Sequence, residues 1–150
     1  MSSLSREVIR RAFAALLASE LEGEGKPAAA VYNYQPGDFG GASPVVTVSG
    51  GPIFREKNSL GACWTTTPVL NVHVFVLYTD GATWNEADAE DALDTIEARI
   101  ADVVMANKSN PGVWKNINYA DPTQPDAVVI GGDEYRREII ALEFEVIENG

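Results

Sequence analysis

The chain has 150 residues, with 22 Asp and Glu against 11 Lys and Arg, giving a formal net charge of −11 and an isoelectric point near 4.4. That length fits one domain, here residues 1–150, built on one core. The carboxylate excess repels a phosphate backbone and excludes gripping nucleic acid by counterion release, and apolar runs such as Val72 to Tyr78 fall far short of the ~20 residues of a membrane-crossing helix.

The first predicted element is a helix capped by Ser2, Ser3 or Ser5 and running to about Leu21, with Val8, Ile9, Ala12, Phe13, Leu16 and Leu17 on one face and Arg6, Arg10 and Arg11 away from it. The start, MSSLSREVIRRAF, enters this charged amphipathic segment without the apolar stretch and cleavage site of a signal peptide, so a soluble cytoplasmic chain is expected. A single cysteine, Cys63, cannot form an internal disulfide and agrees with a reducing compartment. Two glycines and a proline break the chain over residues 22–27, and residues 28–34 (AAAVYNY) read as a short strand.

From Gln35 to Ala62 the pattern dissolves, and only Val45 to Ser49 has strand character. So long an irregular stretch is uncommon inside a compact domain unless it is functional. It reads either as an irregular hairpin whose turns come from Gly40-Gly41 and Gly50-Gly51, or as an arm that reaches a partner through Phe39, Ile53 and Phe54.

Residues 68–78 (PVLNVHVFVLY) form a strand that divides by parity. Leu70, Val72, Val74, Val76 and Tyr78 face the core, while Asn71, His73, Phe75, Leu77 and Thr79 face the other way, a side that becomes apolar only toward its end and suits a covering element or a neighbouring subunit. His73 is the only histidine. Zinc would need ligands beyond it and Cys63, so no metal site is expected; a Cys63–His73 nucleophilic pair has no surrounding motif, and a structural histidine is the expected role.

A second helix is predicted from Asn85 to Asn107, capped by Thr83 or Asn85, with Ala89, Leu93, Ile96, Ile100 and Val103 as one apolar stripe. Its flank carries Glu86, Glu90, Asp94 and Glu97, spaced four, four and three apart. Carboxylates set for acid-base work must face each other across a cleft in unlike environments, which one helix face does not supply, so the row reads as a solvated face or as the acidic lining of a pore. A stop at residues 108–112, a short strand over 113–119, a proline-bounded loop over 121–125, and residues 127–130 leading through Gly131 and Gly132 into a final strand over 135–147 complete the chain. In the last, Ile140, Leu142, Phe144 and Val146 share one face. No phosphate loop, nucleophile elbow or dinucleotide fingerprint occurs, so neither catalytic residues nor a cofactor are expected. The predicted class is α+β: a mixed, mainly antiparallel sheet packed by the N-terminal and long central helices, with a loop or hairpin arm over residues 35–62.

The order of these elements, with the runs PVLNVHVFVLYTD, AEDALDTIEARIADVV, Trp114 with Ile117 and Tyr119, and GGDEYRREIIALEFEVI, resembles the tail terminator and tail-to-head joining proteins of long-tailed bacteriophages over roughly residues 4–147. The resemblance implies a virion structural protein, assembled in the host cytoplasm as a homo-oligomeric, hexameric ring. It would cap the tail tube protein, stop tube polymerisation, meet head-completion or neck proteins, and pass DNA through its hole during ejection. Six copies at −11 each would carry −66, which disfavours DNA adhesion; Glu86, Glu90, Asp94 and Glu97 are then the candidate lining, and Phe39, Ile53 and Phe54 the candidate docking arm. A neck adaptor or tail-tube protein, a small cytoplasmic ligand-binding domain and a hydrolase using Cys63 and His73 remain open as alternatives.

Overall fold

The computed structural model describes residues 5–57, 63–78 and 85–149; the candidate caps Ser2, Ser3 and Thr83 and the 58–62 stretch of the candidate arm lie outside them. Helix α1 spans Arg6–Leu21, strands β1 Ala30–Tyr32, β2 Val45–Lys57 and β3 Cys63–Leu77 follow, then helix α2 Glu86–Ala106, and strands β4 Asn116–Tyr119, β5 Gln124–Ile130 and β6 Asp133–Asn149. They form an α+β domain around one sheet of order β1-β2-β3-β6-β4, with β5 also paired to β6. β1 runs parallel to β2, and the other pairings are antiparallel.

The helices form where the sequence offers caps and a stripe. The Ser5 Oγ accepts from the Val8 amide at 3.3 Å, and Asn85 forms a reciprocal capping box with Asp88, each side chain accepting from the other's backbone N–H at 3.0 Å. α1 buries Ile9, Phe13, Leu17 and Leu21, and α2 buries Ala89, Leu93, Ile96, Ile100 and Val103, against one face of the sheet. That face presents Val46, Val48, Leu70, Val72, Val74, Val76, Ile140, Leu142 and Phe144, as the period-two pattern requires. Burying each large side chain there contributes about 1.5–3 kcal/mol. Phe13 meets Phe144 edge-on at 5.1 Å and Trp114 at 6.2 Å, and the Trp114 indole N–H donates to the Asn107 carbonyl. Val8, expected on the inner face, is exposed: it sits one position off the stripe that Ile9, Phe13 and Leu17 define.

The opposite face has its own small core. Phe39 is buried against Phe75 and Tyr135, with ring centroids 4.9 and 5.4 Å apart, and Val45 joins them. The segment carrying Phe39 is fastened by Tyr135 Oη donating to the Ala42 carbonyl, by Thr47 Oγ1 donating to Gln35 Oε1, and by Ser43 Oγ accepting from the Leu77 amide. The cover over this end of the sheet is therefore the chain's own 35–44 segment.

β2 corrects the sequence reading most. It runs from Val45 to Lys57 and stays paired with β3 to its end. Gly50-Gly51 is no turn; the register slips by one between Gly50 and Ile53, a bulge that lets the strand continue. Arg6 Nη1 donates to the Gly51 carbonyl, and a Cβ at Gly51 would come within 2.9 Å of the Val69 carbonyl oxygen, so the close backbone approach of β3 favours glycine there. β3 likewise starts at Cys63 rather than 68, β4 at Asn116 rather than 113, and β5 at Gln124 within the expected loop. Gly131 and Gly132, at φ 59° and 88°, form the two-residue turn that folds β5 onto β6.

Candidate functional site

From the edge of the main core the sheet projects as a three-stranded arm, with residues 53–57 of β2, 64–68 of β3 and 146–149 of β6 in register and Thr66 and Val146 still buried at its base. Directly opposed residues share a face, so Arg55, Lys57 and Trp64 continue the helix-side face, whereas Phe54 and Ile147 lie on the other. Phe54 is 59% exposed, Ile147 47% and Trp64 38%. β1 covers β2 only at Val45–Thr47, so no strand pairs the outer edge of β2 beyond that among the described residues, and Pro52 sits in that open stretch. Of the three expected docking residues, Phe54 is exposed and Ile53 half-buried on this arm. Phe39 belongs to the core: at 6% exposure its ring is sealed by Phe75 and Tyr135, and it is not offered to a partner.

The acidic row lies along α2 as its spacing predicts, but not as a uniform solvated face. Glu86 and Asp94 are exposed. Glu90 pairs with Arg136 of β6 at 2.6 Å, and half-buried Glu97 acts electrostatically on Tyr119 of β4 and Glu138 of β6. Partial burial, and then the charges of Glu97, Asp94 and Glu90, push the Glu138 carboxyl above its usual range, with Arg136 acting in the opposite sense. Burial and Glu97 raise the Tyr119 hydroxyl in the same way. Arg136 and Glu138 share the parity of Ile140 and Leu142, so β6 begins charged on its helix-covered face where the flank of α2 overlies it.

His73 lies on the opposite face between Thr47 and Ile139, its ring 5.8 Å from Phe75. Its buried Nδ1 has no hydrogen-bonding partner among the described residues. Burial first, then Arg137, lower its pKa, while Asp126 opposes the shift. Arg137 grips Asp126 through two hydrogen bonds of 2.9 and 2.6 Å, which holds the Asp126 carboxyl below its ordinary range. Beside this pair an open cleft of about 440 Å³ is floored by Asn71, Ile139 and Ala141 and walled by Pro122 and Pro125. The Cys63 side chain lies outside the described set, yet β3 is continuous from Cys63 to His73. Ten strand residues separate their backbones by about 33 Å, which removes the nucleophilic pair within one chain. Among the described residues no group of three or more His, Cys, Asp and Glu could hold a metal ion, and no helix is long and apolar enough to cross a membrane.

No family model matches the sequence, and no curated protein matches it. Among solved structures, bacteriophage SPP1 gp17 protein is similar at a TM-score of 0.49 and 17% identity, over 100% of this chain and 99% of that one. A chain from the virion of a native gene transfer agent particle is similar at a TM-score of 0.48 and 16% identity, over 88% of this chain and 92% of that one.

Sequence reasoning missed three features of the site. The lower half of β2 was hidden by Gly50-Gly51-Pro52, which reads as a turn. The Arg137–Asp126 clasp depends on the β5–β6 pairing, and neither residue carries a local signature of it. The meeting of Glu138 with the α2 row did have a signal: in β6 the apolar parity gives way to Arg136 and Glu138 before Ile140.

Proposed function

We propose that this chain is a virion structural protein of the tail-terminator type, which assembles as a ring, a hexamer by the family resemblance, caps the tail tube, stops its growth and offers a joining surface to head-completion or neck proteins. The observation that carries this reading is the arm: three paired strands run out from the cores, exposing Phe54 and Ile147 on one face and Trp64 on the other beside an unpaired β2 edge, which supports a contact with another chain. The sequence resemblance supplies the setting. In this reading Ile53 and Phe54 belong to the docking arm, and Glu86, Glu90, Asp94 and Glu97 contribute to an acidic passage along which DNA moves without adhering. Tail and neck of the virion are its place, and no step of chemistry is asked of any residue.

Negative-stain electron microscopy of the purified protein, alone and mixed with tail tubes from the same source, tests the reading. Rings, or tubes capped at one end and fixed in length, are expected. Tubes that stay uncapped and keep growing overturn it, and long filaments of the protein alone would assign it to the tube instead.

A further inference from the structure

We propose that the arm of one copy docks, through Arg55, Lys57 and Trp64, on the acidic outer surface of α2 in a second copy of this chain, a head-to-tail contact. The purpose of the contact rests on the ring reading; its geometry rests on observations independent of it. Arg55 and Lys57 are exposed on the helix-side face of the arm, and neither has an ion-pair partner among the described residues. Trp64, directly opposite Lys57 and 38% exposed, gives that face an aromatic anchor of the kind that dominates contact energies. Between Glu86 and Asp102, α2 carries seven carboxylates against one base, Arg99, and among the described residues only Glu90 of these is ion-paired.

The arm and the first turns of α2, where Glu90 and Asp91 lie, do not meet within one chain. Glu90 sits over Arg136, which is in register with Val76, whereas the arm ends at Trp64. Twelve residues of continuous strand hold these ends about 40 Å apart. A second copy displaced along the strand direction brings them together. Two chains at −11 each repel at long range, so self-association needs such a local match of opposite charge to fix the register. Because different patches meet, the contact is heterologous, and repeating it closes a ring where the rotation allows. Two arm cations leave α2 still strongly negative, so the contact is compatible with the rest of the helix lining a passage.

Disulfide trapping tests the contact. In a Cys63→Ser background, Lys57→Cys and Asp91→Cys variants are mixed, alone and with tail tubes. A cross-linked dimer is expected only from the mixture, and a ladder from a chain carrying both cysteines, with Lys57→Cys plus Met105→Cys as the exposed control pair. Adding Arg55→Glu to the arm copy should lower the yield by roughly ten-fold or more, and Asp94→Lys in the other copy should restore it. A yield equal to the control, unchanged by either charge reversal, overturns the contact, as does Lys57→Cys cross-linking to tube protein instead of to the second copy. If tubes are capped while cross-linking stays at control level, the contact falls and the terminator reading stands; cross-linking with uncapped tubes gives the reverse.

Discussion

Replacing Phe39 by Ala separates a core residue from a docking residue. The Phe39 ring is 6% exposed and touches Phe75 and Tyr135, whose own contact spans 6.2 Å. Deleting a buried phenylalanine costs about 3–5 kcal/mol, and this one is carried by a surface segment that can settle into the gap, which places the loss near the lower end, about 3 kcal/mol. For a chain of this size that corresponds to a fall in Tm of about 6–12 °C. Phe54→Ala, at an exposed position of the arm, should change stability by no more than about 0.5 kcal/mol. Urea unfolding of both variants, followed by the tube-capping assay on folded protein, gives the comparison: Phe39→Ala should shift the midpoint and Phe54→Ala should instead impair capping. A Phe39→Ala protein with the wild-type midpoint and no capping would refute the assignment of Phe39 to the core.

His73 carries a pH signature. Its folded pKa is depressed below 6.5 by burial and Arg137, so the unfolded chain binds its proton first; stability should fall as pH drops through 6.5 and level off below the folded value, and His73→Gln should lack that slope in urea titrations at stepped pH. Glu138, raised by burial and by Glu97 and Asp94, behaves oppositely: its charge is a burden at neutral pH that protonation relieves, so Glu138→Gln should raise Tm at pH 7 and the gain should vanish as pH falls through the raised pKa. Asp126, held low first by its hydrogen bond to Arg137, stabilises above the unfolded value of 3.8 and loses that contribution as pH falls through its folded value; because the carboxylate is 43% exposed, Asp126→Asn should cost no more than about 1 kcal/mol at pH 7, read by thermal unfolding.

The elements legible in the sequence are those whose burial is one-sided and periodic. Ala89, Leu93, Ile96, Ile100 and Val103 mark α2, and the parity of Leu70 to Val76 and of Ile140 to Val146 marks β3 and β6, because a helix or strand with one wet face must repeat at 3.6 or 2 residues. The arm escaped because β2 is exposed on both faces from Phe54 onward, which leaves no alternation in Phe54-Arg55-Glu56-Lys57 to read. Phe39 escaped because the rings that bury it, Phe75 and Tyr135, are 36 and 96 positions away in the chain, and a lone aromatic among glycines carries no local sign of them. The acidic row was legible as a spacing, but its division into exposed Glu86 and Asp94, paired Glu90, and half-buried Glu97 depends on where β6 passes beneath α2.

The two faces of the arm differ in chemistry, and salt should separate their uses. Arg55 and Lys57 lie on the helix side, Phe54 and Ile147 on the other. Screening shortens the reach of exposed charges from about 30 Å at 0.01 M salt to about 8 Å at 0.15 M and 3 Å at 1 M. A copy-to-copy contact made by the cations should therefore weaken as salt rises, while burial of apolar surface is not screened. Sedimentation of the protein alone between 0.05 and 0.5 M NaCl should show self-association declining, and binding of the arm's apolar face to tubes should hold steady over the same range. Association that is indifferent to salt but lost in Phe54→Ala would place the copy-to-copy contact on the apolar face instead, and with it the geometry by which successive subunits join.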